Sequence, residues 1–459
     1  MNENEKSTSV NKEPTFINQE MTVWNWLVII GTSLGSIISG IIPHSFGTFI
    51  AHFKSDNNKT NNPSFYFVSQ FEWNWLPSLS SAVPCILLPL FVLIIQKINR
   101  SYQMLSALGF VIIAISCGLS SLVSLWYVFF FTYSLLYSIG SSLFLAVVVI
   151  ILAEYFPVNH RFHVLATSLF QIGYPAAALI GNPLLAILII NYGWQVALKF
   201  TAFFEVITGV IIALLMKPVR DKSFCKHSEG SSENCPIKAE LSSSTQRTLS
   251  ATSMHYLAYS LELWTWLIAK FLNYLCWYGL RTNLVTYLVK STNFGLEKSA
   301  TLMSIYAGAE VIVAMSASII GNGFKGYLMH IHVFSSMALA VLTGLYTIAI
   351  TSYLSAVILM ICIGAAVQSS LNFGYPASVE VVKAKFDMKT GWILTNVAAG
   401  FGIFISPLFS GILMDRFNVK ALFYAQSCGW ALQAFLYLIT LLIIKSNQNK
   451  LPTDYIEVK

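Results

Sequence analysis

Twelve apolar stretches, each long enough to cross a bilayer, constrain this chain more than any other feature. They fall near residues 24–50, 74–95, 102–122, 125–153, 164–190, 195–216, 263–289, 298–321, 327–350, 352–376, 390–414 and 420–444. A hydrocarbon core takes about 20 residues of helix to span, and an isolated helix satisfies its own backbone there. The stretches therefore predict an all-α membrane protein with twelve transmembrane helices. Composition agrees. Hydrophobic residues make up 56% of the chain, charged residues only 10%, and the mean hydropathy is +0.66. A soluble chain carries about a quarter charged residues, so an ordinary cytosolic enzyme is excluded. The net charge of +7 belongs to the loops and does not point to nucleic acid.

The longest interruption is 217–262, rich in Ser, Lys and Glu; such a composition buries too little apolar surface to order itself. It divides the chain into a cytoplasmic tail (1–22), a six-helix half (23–216), a flexible central loop (217–262), a second six-helix half (263–445) and a second tail (446–459). With the N-terminus inside, the inner segments hold eighteen Lys and Arg residues, Lys97, Arg100, Arg220 and Lys389 among them. The outer segments hold six: Lys54, Lys59, Lys290, Lys298, Arg416 and Lys420. The positive-inside bias then places both termini and the central loop in the cytoplasm. It also places the sequon at Asn58 outside, where glycosylation is available. The halves echo each other. Trp24-Asn25-Trp26-Leu27 opens the first stretch and Trp264-Thr265-Trp266-Leu267 the seventh; Asn182-Pro183 lies late in the fifth and Ser406-Pro407 late in the eleventh. Echoes at matching ranks predict a duplicated unit.

Two apparent chemical motifs fail on context. Cys225, His227 and Cys235 match no zinc spacing. Gly31-Thr32-Ser33-Leu34-Gly35 has the form of a hydrolase elbow but lacks its strand-to-helix setting; the glycines read as a close-packing helix face. Neither a metal nor a cofactor is expected, nor catalysis.

Ionisable residues inside the apolar stretches carry the mechanism, because a charge near the bilayer centre costs about 2.5–3.5 kcal/mol on insertion scales and normally faces a cavity. They are His44, Lys270, Arg281 and Glu310, with Lys199 and Glu205 read as a structural pair. Lys270, Asn273, Trp277 and Arg281 are spaced 3, 4 and 4 along the seventh stretch, one face of a helix. Arg281 suits a carboxylate, since its rigid fork donates two parallel hydrogen bonds. The competing reading has Lys270 and Arg281 snorkel to opposite membrane surfaces. His44 exchanges a proton near neutral pH, or packs beside Pro43. Glu310 either carries a proton or bonds a neighbouring helix. Gln368, Asn372 and Tyr375 in the tenth stretch, and Gln171 and Asn182 in the fifth, serve as substrate contacts or as interhelical glue.

Several stretches together resemble the monocarboxylate transporter family of the major facilitator superfamily. Trp24-Asn25-Trp26 is similar to that family's entry to helix 1, and Pro43-His44-Ser45 falls where it has Pro-Lys-Ser. Tyr155-Phe156, Arg161, Leu165-Ala166 and Gly173 resemble its helix 4–5 signature. Tyr192-Gly193-Trp194 is similar to its turn before helix 6, and Gly374-Tyr375-Pro376 with Gly391 through Asp415 resembles its helix 10–11 region. The resemblance spans about residues 20–445 and implies a major facilitator fold whose seventh helix lines a central cavity. The departures are specific. His44 stands at the family's lysine, and Ala314 stands where the helix 8 acid, here Glu310, has an arginine four residues on. Glu310 must then be neutralised by a proton or paired across helices, with Arg281 the candidate.

The expectation is a plasma-membrane transporter of a small organic anion, a monocarboxylate in the first place, working by alternating access. The resemblance implies proton symport and a single-span accessory glycoprotein partner. Two rivals remain open. One is a proton-independent facilitator of a larger or less charged solute, such as an aromatic amino acid or a creatine-like compound. The other is a non-transporting sensor signalling through the central loop.

Overall fold

All twelve stretches form helices in the computed structural model, which describes residues 22–54, 63–98, 101–156, 162–217, 260–292, 294–320, 324, 326–382 and 388–449. The N-terminal tail, Asn58, Arg161, Cys225, His227, Cys235, nearly all of the central loop and the last ten residues lie outside them. The helices are α1 (Val23–Phe53), α2 (Gln70–Ile86, continued by Leu88–Ile98), α3 (Tyr102–Ser120), α4 (Phe130–Leu135 leading into Leu136–Tyr155), α5 (His163–Tyr192) and α6 (Trp194–Leu215). The second half holds α7 (Leu261–Ser291), α8 (Leu296–Ile320), α9 (Leu328–Ala349), α10 (Tyr353–Asn372, continued by Gly374–Val382), α11 (Met388–Arg416) and α12 (Val419–Asn449). No strand occurs among the described residues. The chain is a multi-pass membrane protein.

Eleven of these helices are apolar and long enough to cross a membrane by composition. The exception is α7, 31 residues long, because Lys270, Asn273, Arg281 and Asn283 dilute its apolar content. All four side chains are buried in protein, so the bundle, not lipid, surrounds the most polar helix.

Interruptions sit where the sequence withholds backbone hydrogen bonds. α2 changes segment at Leu87, between Pro84 and Pro89. α10 breaks at Phe373; Pro376 has no amide to give the Asn372 carbonyl, and the chain restarts at Gly374. α4 opens with a wider π-type turn, and the Thr132 carbonyl in it accepts from Ser116 Oγ at 2.6 Å. By contrast α1 runs unbroken through Pro43.

The halves repeat one packing scheme. α1 lies on α5 as α7 lies on α11, and α3 pairs with α6 as α9 pairs with α12. The sequence echo falls on this scheme. Thr48 of α1 donates to Asn182 Oδ1 of α5 at 3.2 Å, and Ser406 of α11 donates to the Leu275 carbonyl of α7 at 3.0 Å. Asn182 is therefore glue between helices. The halves meet where α2 packs on α11 and α5 on α8. Gly35 of the close-packing face receives the Phe144 ring.

Lys199 and Glu205 do not form a pair. Lys199 is exposed on α6, whereas Glu205, six residues on, is fully buried with neither oxygen hydrogen-bonded. Six residues is well over one and a half turns, which puts the two on different faces.

Candidate functional site

A cavity of about 130 Å3 lies between the halves, bounded by α1, α2, α4 and α5 on one side and by α7, α10 and α11 on the other. It occupies the middle of the bundle and reaches toward the Val23 end: its walls include Phe170 and Gln171 early in α5, and Trp392 and Asn396 early in α11. Among the described residues no carboxylate lines it; its ionisable side chains include His44 and Arg281.

Arg281 is 4% exposed and does not snorkel. Its Nη1 donates to both oxygens of Glu310 on α8, at 3.1 and 3.4 Å. This is the one ion pair among the described residues, and it crosses from α7 to α8, so the partner that Ala314 cannot supply comes from another helix. Glu310 itself is fully buried and lies behind Arg281, not on the cavity wall. The Tyr306 hydroxyl and the Trp277 indole stand next to its carboxylate without closing a hydrogen bond. The remaining donors of Arg281, Nε and Nη2, have no partner. These two N–H groups form the side edge of the guanidinium, which offers parallel bonds to a carboxylate. Its Cζ stands over the Trp277 ring, 5.4 Å from the centroid, a cation–π contact that helps hold it there.

His44 faces the same cavity across from Arg281, near enough for their charges to interact. Its ring lies 5.2 Å from Tyr174 and 6.0 Å from Trp277, centroid to centroid, and its Nδ1 has no hydrogen-bond partner. Gln368 and Gln171 also line the wall. Gln368 donates to Asn372 at 2.5 Å, and Asn372 reaches the Val313 carbonyl of α8 at 3.4 Å, off the cavity.

The α7 stripe divides. Trp277 and Arg281 reach the cavity, but Lys270 and Asn273 do not. Lys270 is 1% exposed, so it does not snorkel either. Its ammonium donates to the Ser370 carbonyl at 3.3 Å and sits 4.7 Å from the Trp266 ring centroid. Asn273 donates to Ser370 Oγ at 2.7 Å. Ser370 belongs to the last turn before the α10 break, and a cation there complements the negative end of the helix. Lys270 thus finds a partner in backbone, with no carboxylate needed.

Toward the Phe53 end the halves close. Gln70 and Asn74 of α2 donate to Asn283 Oδ1 of α7 at 3.2 and 2.9 Å, and Asn74 also reaches Ser410 Oγ of α11 at 3.3 Å. α1 and α7 come so near that a Cβ on Gly47 would stand 2.9 Å from the Thr282 carbonyl. These residues are far apart in sequence and carry no motif, so sequence reasoning missed them. Asn283→Ala removes the shared acceptor, and a lost buried amide partner costs about 1–3 kcal/mol. We expect the closed form to weaken by about tenfold, read as faster labelling of Cys85, on the cavity wall, by a reagent supplied from the Phe53 side. An unchanged rate would show that the network does not hold this end shut.

The family model described as Major Facilitator Superfamily matches residues 26–382. No curated protein matches the chain.

Proposed function

The chain belongs to the major facilitator superfamily and is a secondary transporter, and from that premise we propose that it carries a small organic anion, a monocarboxylate in the first place, through the cavity between its halves. The observation that carries this reading is Arg281 on the cavity wall, its Nε and Nη2 buried without a hydrogen-bond partner, with no carboxylate among the described lining residues. Glu310 on Nη1 holds the guanidinium and leaves Nε and Nη2 unbonded, so that a turn of the side chain would present them to a ligand. The cavity volume of about 130 Å3 is close to the roughly 150 Å3 that accepts a benzene-sized ligand, which favours a solute of a few carbons or one ring.

The loop charges support an orientation with the Val23 end in the cytoplasm. The cavity, reaching toward that end and closed at the other, would then face inward, one of the two states that rocking of the 23–216 and 263–445 halves requires. A plasma-membrane location fits the same reading.

Proton coupling follows from charge counting. Arg281 and Glu310 together are neutral, so a bound carboxylate leaves one uncompensated negative charge in a poorly solvated site. A proton taken up with the substrate removes it. His44, whose other ring neighbours are Tyr174 and Trp277, is within reach of the cavity to accept one.

The test is uptake of a radiolabelled panel of monocarboxylates, amino acids and neutral solutes at pH 6 and pH 7.5, together with Cys85 labelling by N-ethylmaleimide read by peptide mass spectrometry. We expect a transported carboxylate to slow Cys85 labelling several-fold and its uptake to rise at the lower pH. Uptake of neutral solutes alone, without protection by any carboxylate, would overturn the proposal. Carboxylate uptake that ignores pH would support the proton-independent facilitator, and protection without flux would support the sensor.

A further inference from the structure

The cavity wall carries more ring surface than the chain as a whole. Seven of its 25 lining residues are Phe, Tyr or Trp, twice the 14% of the whole sequence. The rings come from both halves. Tyr174 of α5 meets His44 at 5.2 Å and Phe170 at 5.8 Å, while Trp277 of α7 meets Tyr274 at 5.6 Å and Tyr278 at 5.9 Å. The Tyr274 and Trp277 rings are nearly perpendicular, at 87°, so faces and edges are both presented, the arrangement in which a further ring packs favourably.

Much of the polar lining is already occupied. Ser39 donates to the Gly35 carbonyl at 2.7 Å, Ser80 to Pro77 at 2.9 Å and Asn396 to Trp392 at 2.9 Å, each within its own helix. Ser81 is bonded to the Tyr278 hydroxyl at 3.1 Å. Among lining residues, the buried polar atoms without a partner are on His44, Trp277 and Arg281. One side of the cavity thus carries the Arg281 cation with unbonded donors buried beneath its surface, and much of the remainder is ring and aliphatic surface. The Glu310 carboxylate is bonded to Arg281 and lies off the wall, and among the described lining residues there is no acid to receive an ammonium group.

We propose that the preferred cargo is an arylcarboxylate: one flat ring packed against the aromatic wall that Tyr174 of the first half and Trp277 and Tyr274 of the second contribute to, with its carboxylate at Arg281. The proposal rests on the anion reading above and narrows it. A ligand that touches rings of both halves also ties substrate binding to their relative position, which a cargo held by one half would not do.

Competition for Cys85 labelling tests this on the purified full-length protein in detergent, where passive membrane permeation of weak acids plays no part. Benzoate, cyclohexanecarboxylate, propionate, phenylalanine and benzyl alcohol serve as probes. We expect benzoate to halve the labelling rate at a concentration at least tenfold below propionate, about 1.4 kcal/mol, and severalfold below cyclohexanecarboxylate, which is as apolar but not flat. Phenylalanine and benzyl alcohol should protect at least tenfold less well than benzoate. Tyr174→Leu, which keeps an apolar side chain and removes a ring, should shrink the benzoate-to-propionate ratio. Equal protection by benzoate, cyclohexanecarboxylate and propionate would overturn the aryl assignment and leave the anion reading standing. Better protection by phenylalanine would overturn it in favour of a zwitterion. Equal protection by benzyl alcohol, or none by any carboxylate, would overturn the anion reading itself. Because the wild-type comparison decides between these outcomes, a Tyr174→Leu chain that failed to fold would not shield the proposal.

Discussion

Carboxylate uptake is expected to disappear in Arg281→Ala combined with Glu310→Gln, in a protein that still folds and reaches the membrane. The double change is the informative one. Arg281→Ala alone leaves the Glu310 carboxylate, fully buried, without its counter-charge, and breaking a buried pair from one side costs about 3–5 kcal/mol. A chain lost to misfolding would say nothing of binding. Replacing the acid by its amide removes that penalty, so the double variant isolates what the guanidinium does for the ligand. Two charge-assisted hydrogen bonds at about 1.5–3 kcal/mol each amount to at least about 3 kcal/mol, more than a hundredfold in affinity. Arg281→Lys should recover little, because an ammonium has no planar two-donor edge. Cys85 protection and tracer uptake read the effect, and size-exclusion chromatography reads folding. Normal uptake by a folded double variant would make the pair a purely structural tie between α7 and α8.

That pair was half-legible in the sequence. Glu310 without an arginine at position 314 needs either a proton or a partner on another helix, and Arg281 was the evident basic group on the facing segment. Choosing between the two required the three-dimensional distance. The α7 stripe was legible as a face but not as a function. Lys270 and Arg281 share that face, yet eleven residues at about 1.5 Å each separate them by about 16 Å, enough to put one on the cavity and the other against the α10 break. Periodicity gives the face of a helix and says nothing of what lies opposite at each depth. The helices themselves were legible because an apolar run must satisfy its backbone in lipid, whatever the tertiary fold. The amide cluster at the Phe53 end was not: Asn74 and Asn283 meet across 209 residues, and an asparagine in an apolar run looks the same whether it bonds a carbonyl in its own helix or an amide in the other half. The ring box has the same character, since aromatic residues fill cores and line cavities alike.

The second large effect concerns coupling, where the geometry separates two groups that the sequence left equivalent. His44 lines the cavity, whereas Glu310 is sealed behind Arg281, Trp277 and Tyr306. A proton entering through the cavity would meet the imidazole on its wall before the carboxyl behind it. Protonation there adds one positive charge opposite Arg281 and so favours an anion; by linkage, a bound anion favours the proton to the same extent. Wild-type uptake should therefore rise between pH 7.5 and pH 6, and His44→Ala should flatten that rise while carboxylate binding at pH 7.5 survives. Glu310→Gln acts differently. The amide oxygen still accepts from Nη1, so the guanidinium keeps its place, but its charge is no longer balanced before substrate arrives. Binding should tighten at every pH, by about tenfold if the lost neutralisation is worth about 1.4 kcal/mol, and tight binding at an unbalanced site should slow release. The expected signature is stronger protection of Cys85 by substrate with weak net uptake and slow exchange of labelled for unlabelled substrate. If Glu310→Gln flattens the slope and His44→Ala leaves it intact, the buried carboxyl is the proton carrier and Arg281 must move aside in each cycle to admit the proton. Equal slopes in all three proteins would remove both residues from coupling, and the transporter would then run down its substrate gradient alone.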